Sequence, residues 1–437
     1  MSGIKIINAG WLIDGSGGPV RQNIRLCIKN GRIASITDSG VDDSETSGTT
    51  DLVTSTILPC LIDSHVHLCM SGTDDPVARE KQLGAGFDES KQRAQSPLLA
   101  GLASELKTDT IPCGRGFTVA CGGELQMKGL ISEHIKRHLS YGVLAVRDGG
   151  DKYVHVLRYR NEYLDIKKTP IGIRIAGGAW HRAGRYGGLI GRSPQNNYSL
   201  AEAIKTDPGE KDHVKIVNSG MNSLKEFGKE TLPQFGVEEL SDAVKIARNC
   251  GHRVMVHANC KKPVAVALEA GCDSIEHGFF MGVENLKIMA EKGIVWVPTA
   301  CTMKAYAEHM KPGSVEHEVS RMNLDHQLEQ ISKARALGVT VALGTDAGSI
   351  GVHHGSAVID EMELLLQAGY SLQEAVRSSS KNGADLLGIN EFGLLASGKP
   401  ATFIAVNGDP SKLPGSLSAI QAIYINGRSV SGGLKWD

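Results

Sequence analysis

Two histidines stand one residue apart at the end of an apolar run, "LPCLIDSHVHL", Leu58–Leu68. Neutral imidazoles are good ligands for divalent cations. In an extended strand, residues two apart point the same way, so His65 and His67 would offer two ligands to one point. Other apolar runs end in the same kind of residue: "HVKIVNSG" carries Lys215, "VMVHAN" ends near His257, "SIEHG" near His277 and "VALGTDAG" near Asp346. Singly, each has an ordinary use. A histidine at a strand end is commonly a hydrogen-bonded polar residue, an aspartate there caps the next helix, and a strand lysine reaches to water. Five strand ends carrying such groups together form a pattern that chance explains poorly.

Lys215 is the unexpected member. An ordinary lysine, with a pKa of about 10.4, carries a charge that repels cations. Burial among cations removes its proton. The neutral amine can then add carbon dioxide and become a carbamate, whose two oxygens can bridge metals roughly 3.5–4 Å apart.

The elements that must position these groups follow one rhythm. A helix-like segment closes on a glycine, and a β-branched apolar run follows at once, at Gly142, Gly251, Gly271, Gly293 and Gly338. Glycine past a helix end takes the left-handed conformation at little cost and turns the chain back. Leu240, Ala243, Val244 and Ala247 share one face of such a helix. Strands are predicted near 57–66, 143–148, 171–177, 213–218, 253–258, 272–277, 294–298 and 339–345. Continuous apolar strands alternating with helices imply parallel pairing, and eight such units imply an α/β fold of the (β/α)8 TIM-like barrel type. No Gly-rich phosphate turn of an open nucleotide-binding sheet is found. In such a barrel, the strand ends that carry the candidate ligands form the active face.

The chain ends read differently. Residues 1–56 and 393–437 contain short strands with hairpin signals at Asn30-Gly31 and Asn426-Gly427. They are expected to form a small β-sandwich around a barrel spanning 57–392. Within the barrel, 69–130 reads as an insertion that serves as a lid or an oligomer contact. The chain is therefore expected to be a homo-oligomer.

These strings, with His, His, Lys, His, His and Asp in that order, resemble the amidohydrolase superfamily over nearly the whole chain. Further markers are "VRDGG" and "GSAVIDEMELLLQAGYSLQEAV". The likeness is strongest to its imidazolonepropionase-like and Xaa-Pro or Xaa-Arg dipeptidase-like branch. One departure is "GKPATFI", with Thr402 where the family carries aspartate. The resemblance implies that His65, His67 and Asp346 hold one metal and that His257 and His277 hold a second, with carboxylated Lys215 between them. Such ligands suit zinc, with manganese, cobalt or iron as alternatives. The implied reaction is hydrolysis of an amide-type C–N bond in a small molecule, a dipeptide or cyclic amide, by a metal-activated hydroxide. Asp346 would pass the proton to the leaving nitrogen, and His277 would orient or polarise the carbonyl if it is not a tight ligand. The same fold and metals could instead serve an ester, a phosphotriester or a ring deamination. A non-catalytic scaffold would be expected to have lost ligands, and all six are present.

Substrate contacts are sought beside this set. "GGAWHRAGRYGGLIGR" offers His181, Arg182, Arg185, Tyr186 and Arg192, where a guanidinium fork could bind a carboxylate; a solvated basic loop has the same composition. Tyr306 and the pair His353 and His354 follow later strands and are similarly placed. Composition closes other routes. The 437 residues carry a formal net charge of −1, which argues against nucleic acid and anionic membranes as partners. No export signal and no spanning apolar run is read. The nine cysteines lack a C-x-x-C spacing and read as reduced thiols of a cytoplasmic protein.

Overall fold

The computed structural model describes residues 4–38, 48–75, 119–195 and 197–430. Both chain ends enter one seven-stranded sheet. Its members are β1 (Lys5–Leu12), β2 (Arg21–Lys29), β3 (Arg32–Asp38), β4 (Gly48–Pro59), β14 (Phe403–Asn407), β15 (Ile420–Ile425) and β16 (Arg428–Ser429), in the order β16-β15-β14-β4-β1-β2-β3. The hairpin signals are realised where predicted. Asn30 and Gly31 have φ of 53° and 77°, and Asn426 and Gly427 have φ of 49° and 73°, which lets β2–β3 and β15–β16 turn over two residues. The sheet has its own apolar cluster, including Ile7, Leu26, Ile57 and Phe403, with the Phe403 and Tyr424 rings stacked 4.5 Å apart.

The site-bearing strands are parallel and lie in two further sheets. One is β5 (Leu61–Val66), β6 (Val143–Asp148) and β7 (Gly172–Ile175), paired in that order. The other runs β13-β12-β11-β10-β8-β9 and comprises β8 (Ala179–Trp180), β9 (Gly191–Arg192), β10 (His213–Val217), β11 (Arg253–Ala258), β12 (Ser274–His277) and β13 (Val295–Val297). Helices alternate with them. Leu240, Ala243, Val244 and Ala247 are the buried face of helix Val237–Asn249, as their spacing requires. The five glycines that close helices all lie at positive φ, between 65° and 81°. No helix among the described residues is long and apolar enough to cross a membrane.

The structure corrects several boundaries. The apolar run predicted as one strand over 57–66 belongs to two sheets. Its first part ends β4 at Pro59, and β5 starts at Leu61, whose N–H donates to the Gly142 carbonyl at 2.8 Å. The predicted eighth strand, 339–345, is not a regular strand. It forms isolated parallel bridges, Val341 with Trp296 and, just beyond the predicted range, Ala347 with Val66. Ala342 N–H donates to Trp296 O at 3.0 Å, and Ser64 N–H donates to Leu343 O at 2.9 Å, so this segment is hydrogen-bonded to both parallel sheets. The backbone passes so close at Gly344 that a Cβ there would lie 2.4 Å from Val297 and 2.9 Å from His65. Residues 76–118, most of the expected insertion, lie outside the described residues, and helix Val119–Ser140 takes up its end. Seven cysteines are described, all as free thiols.

Candidate metal centre

The end of β5 and the turn after it bring His65 and His67 together, with ring centroids 5.5 Å apart. Asp346 faces both: its Oδ1 lies 3.5 Å from His65 Nε2 and 3.3 Å from His67 Nε2. Asp346 N–H donates to His65 O at 2.7 Å, and the residue turns at φ 58°, which aims its carboxylate back over the strand ends. These three residues offer ligand atoms within 4.8 Å of one another.

Of the other predicted ligands, His277 adjoins His65 and His257 adjoins His277. The His277 ring lies 5.0 Å from His65 and 4.6 Å from His257. His277 Nδ1 is 2.7 Å from Thr299 Oγ1, which leaves Nε2 for another partner. His257 Nε2 faces Gly220 O at 3.2 Å, which leaves Nδ1. His277 leaves the extended conformation at φ 67°, and its carbonyl accepts from Trp296 Nε1 at 3.0 Å and Gln327 Nε2 at 2.7 Å. Lys215, on β10, is 1% exposed, and its Nζ has no hydrogen-bond partner; neither has His65 Nε2. A buried amine and a buried imidazole nitrogen without partners are costly unless something binds them.

The electrostatics favour cations. Burial lowers the Lys215 amine to about 8, against the pull of Glu276 and Asp346. Burial likewise pushes His65 and His257 well below the usual imidazole range, and His277 down to about 4, so they stand neutral with lone pairs available. Burial opposes the charge on Asp346, yet the hydrogen bond from His67 and the neighbouring His65 hold its carboxyl well below the ordinary range.

Several contributors escaped the sequence reading. Glu276 Oε2 lies 2.8 Å from His65 Nδ1. Asp148 accepts from Leu68 N–H at 2.9 Å and Gly150 N–H at 3.0 Å, pinning the turn after the histidines. Asp63 accepts from Thr345 N–H and Oγ1 at 3.0 and 2.6 Å, tying β5 to the segment bearing Asp346. Asp148 belongs to the quoted "VRDGG" and Glu276 to "SIEHG". Neither stands in an apolar alternation, since Asp148 lies between Arg147 and Gly149 and Glu276 between Ile275 and His277.

The predicted substrate contacts fare unevenly. Tyr186 sits over His257, ring centroids 5.3 Å apart, and its phenol is pushed up by burial first and by Asp346 after it, while Tyr306 lies on helix Cys301–His309. Arg185 is exposed, with NH2 3.5 Å from Leu232 O. Its neighbours are paired away from the rim: Arg182 with Glu239 and Arg192 with Asp207. His181 is buried against its own loop, Nδ1 3.0 Å from Arg182 O. His354 is directed elsewhere. Its Nε2 meets Met70 O at 2.9 Å and its Nδ1 meets His138 Nε2 at 3.1 Å, so both ring nitrogens are used within the interior.

This parallel α/β architecture, with histidines and aspartate at the strand ends, belongs to a recognised class. The chain is a member of the amidohydrolase family, whose model matches residues 56–430. Among solved structures it is similar to a Xaa-Pro dipeptidase with methionine bound in its active site, 24% identical with a TM-score of 0.72, covering 98% of this chain and 100% of that one. It is also similar to the ochratoxinase of Aspergillus niger, 20% identical with a TM-score of 0.71, covering 99% and 96%. In sequence, the same ochratoxinase is 27% identical over 201 residues. That match takes in 45% of this chain and 41% of the relative, less than half its length.

Proposed function

We propose that this protein is a metal-dependent amidohydrolase that cleaves the amide C–N bond of a small molecule of the dipeptide or cyclic-amide type. The observation that carries this reading is the pair of buried nitrogens without a hydrogen-bond partner, Lys215 Nζ and His65 Nε2, beside the neutral His257 and His277 imidazoles and the ionised Asp346 carboxylate. Such a donor set fits divalent cations, zinc first. His65, His67 and Asp346 would hold one ion, His257 and His277 another, and Lys215, carboxylated, would join them. Ions so held supply a Lewis acid and lower the pKa of a bound water toward about 7. Further support comes from the names of two relatives in the fold, a Xaa-Pro dipeptidase and an ochratoxinase. The reading takes residues 57–392 as a barrel closed through 340–347, with both chain ends forming the accessory unit.

The protein's own groups have separable tasks. Asp346 takes the proton of the attacking water and delivers it to the leaving nitrogen, which otherwise departs as a poor anion. His277, fixed by Thr299, Trp296 and Gln327, has only Nε2 left to offer, and it orients the scissile carbonyl only where that nitrogen is not a tight ligand of the second ion. Tyr186, a protonated phenol pushed up by burial, closes the rim above His257. The test is a panel of dipeptides, N-acyl amino acids and cyclic imides against zinc- and manganese-loaded enzyme, with esters and phosphotriesters alongside. Turnover confined to amides, lowered at least about a hundredfold in Asp346→Asn with most metal retained, is the expected result. Turnover of esters or phosphotriesters alone, or a fully active Asp346→Asn, overturns it.

A further inference from the structure

Glu276 is 0% exposed and both of its carboxylate oxygens are committed. Oε2 lies 2.8 Å from His65 Nδ1. Oε1 accepts from Arg147 NH2 at 2.8 Å and from Ser274 Oγ at 2.5 Å. Arg147 is itself buried, and its other nitrogens are used: Nε donates to Ser64 O at 2.7 Å and NH1 to Ser274 Oγ at 3.0 Å. Glu276 therefore cannot touch substrate or a cation. A carboxylate paired with a guanidinium in this way acts as an acceptor, so the ring nitrogen facing it carries the proton. With Nδ1 protonated, His65 Nε2 holds a bare lone pair, and Nε2 is the atom that faces Asp346 Oδ1 and has no hydrogen-bond partner.

From this arrangement we infer that Arg147 and Glu276 are positioning residues that lock His65 in the Nδ1–H tautomer and so make its Nε2 a permanent ligand. The inference rests on the metal reading for its use but not for its chemistry. Arg147 is essential to the lock because it fixes which way the acceptor faces. In Glu276→Gln, the donors from Arg147 and Ser274 claim the amide oxygen. The amide NH2 is then turned toward His65 Nδ1, which must accept, and the proton moves to Nε2. One isosteric change thus converts a ligand into a donor. Removing Arg147 as well reverses the effect. In Arg147→Met/Glu276→Gln, the amide can turn its NH2 to Ser274 Oγ and its oxygen back to His65. The double variant also avoids leaving a buried guanidinium unpaired, which is strongly destabilising.

The test needs no turnover. Imidazole 15N spectra of metal-free protein report which ring nitrogen of His65 is protonated, and competition with a chromophoric chelator gives the zinc affinity. The expected results are Nδ1–H in the unaltered protein and Nε2–H in Glu276→Gln, with zinc at one site weakened about 10–100-fold. The double variant should regain Nδ1–H and most of the affinity. An Nε2–H tautomer in the unaltered protein, unchanged zinc affinity in Glu276→Gln, or a double variant no better than the single one overturns the inference. If the unaltered protein shows Nδ1–H yet takes up no zinc, the metal reading fails while the tautomer lock stands.

Discussion

Gly149 occupies the narrowest place in the centre. A Cβ on it would lie 2.8 Å from His65 Nε2 and 2.9 Å from His67 Cε1, closer than carbon atoms approach without displacement. Its φ is outside the left-handed region, so alanine could adopt the same backbone. The glycine is needed for the space in front of the imidazoles, not for a turn. Gly149→Ala is therefore expected to displace the imidazoles and to destabilise the metal-free protein by about 1–3 kcal/mol, as overpacking does, seen as a lower thermal midpoint. Zinc affinity should fall at least about tenfold, on the scale of other disturbances next to a ligand. Equal zinc affinity in the two proteins, measured by chelator competition, would show that the methyl group and the ion do not compete. Nothing in "VRDGG" as a string distinguishes this role from that of a turn glycine.

The elements act by holding strained pieces of backbone. Adjacent residues of a strand point to opposite faces, yet Glu276 and His277 both adjoin His65. The exit of His277 from extended geometry at φ 67° makes this possible. Such a conformation costs of the order of 1–3 kcal/mol and persists where its surroundings fix it. Here helix Val315–Leu337 supplies Gln327, and β13 supplies Trp296. Gln327→Leu removes one of the two donors from a buried carbonyl. The expected loss is about 1–3 kcal/mol, seen as a lower thermal midpoint. The ion assigned to His257 and His277 should be released at lower chelator concentration than the one assigned to His65, His67 and Asp346. Simultaneous release of both ions, at the parent concentration, would contradict this. Period-2 alternation put His65 and His67 on one face of a strand, whereas β5 ends at Val66 and His67 stands in the turn beyond it. The same rule concealed Glu276, since a rule about extended strands cannot see where a strand stops being extended.

At the scale of the molecule, the strand-helix alternation, the closing glycines and the two hairpins were legible, because each depends on local residue chemistry. The division of one apolar run between two sheets at Cys60 was not, because pairing partners are distant in sequence. Nor was the irregular 339–345 segment, whose shape answers to the close approach at Gly344. His354 shows the same limit: its type suggested a substrate contact, and its three-dimensional neighbours, His138 and Met70, take it inward. Long-range packing also sets the pH response. Burial raises Glu361 to about 7, although Ala300 and Cys301 N–H donate to it at 3.0 and 2.8 Å. Its folded pKa lies above its unfolded value, so its contribution to stability is greatest below about 4.5 and declines as pH rises toward 7. In metal-free protein, Glu361→Gln should therefore gain in thermal midpoint relative to the parent between pH 5 and pH 8. A difference between the two that stays constant over that range would show that the carboxyl ionises as freely folded as unfolded.

The proposed function depends on six side chains from distant parts of the chain meeting to hold cations. Elemental analysis of protein expressed with zinc and purified without chelator measures this most directly. Close to two divalent ions per chain, falling in Lys215→Ala, is the expected result. A chain that comes through such a purification with no divalent ion would contradict the assignment of the centre.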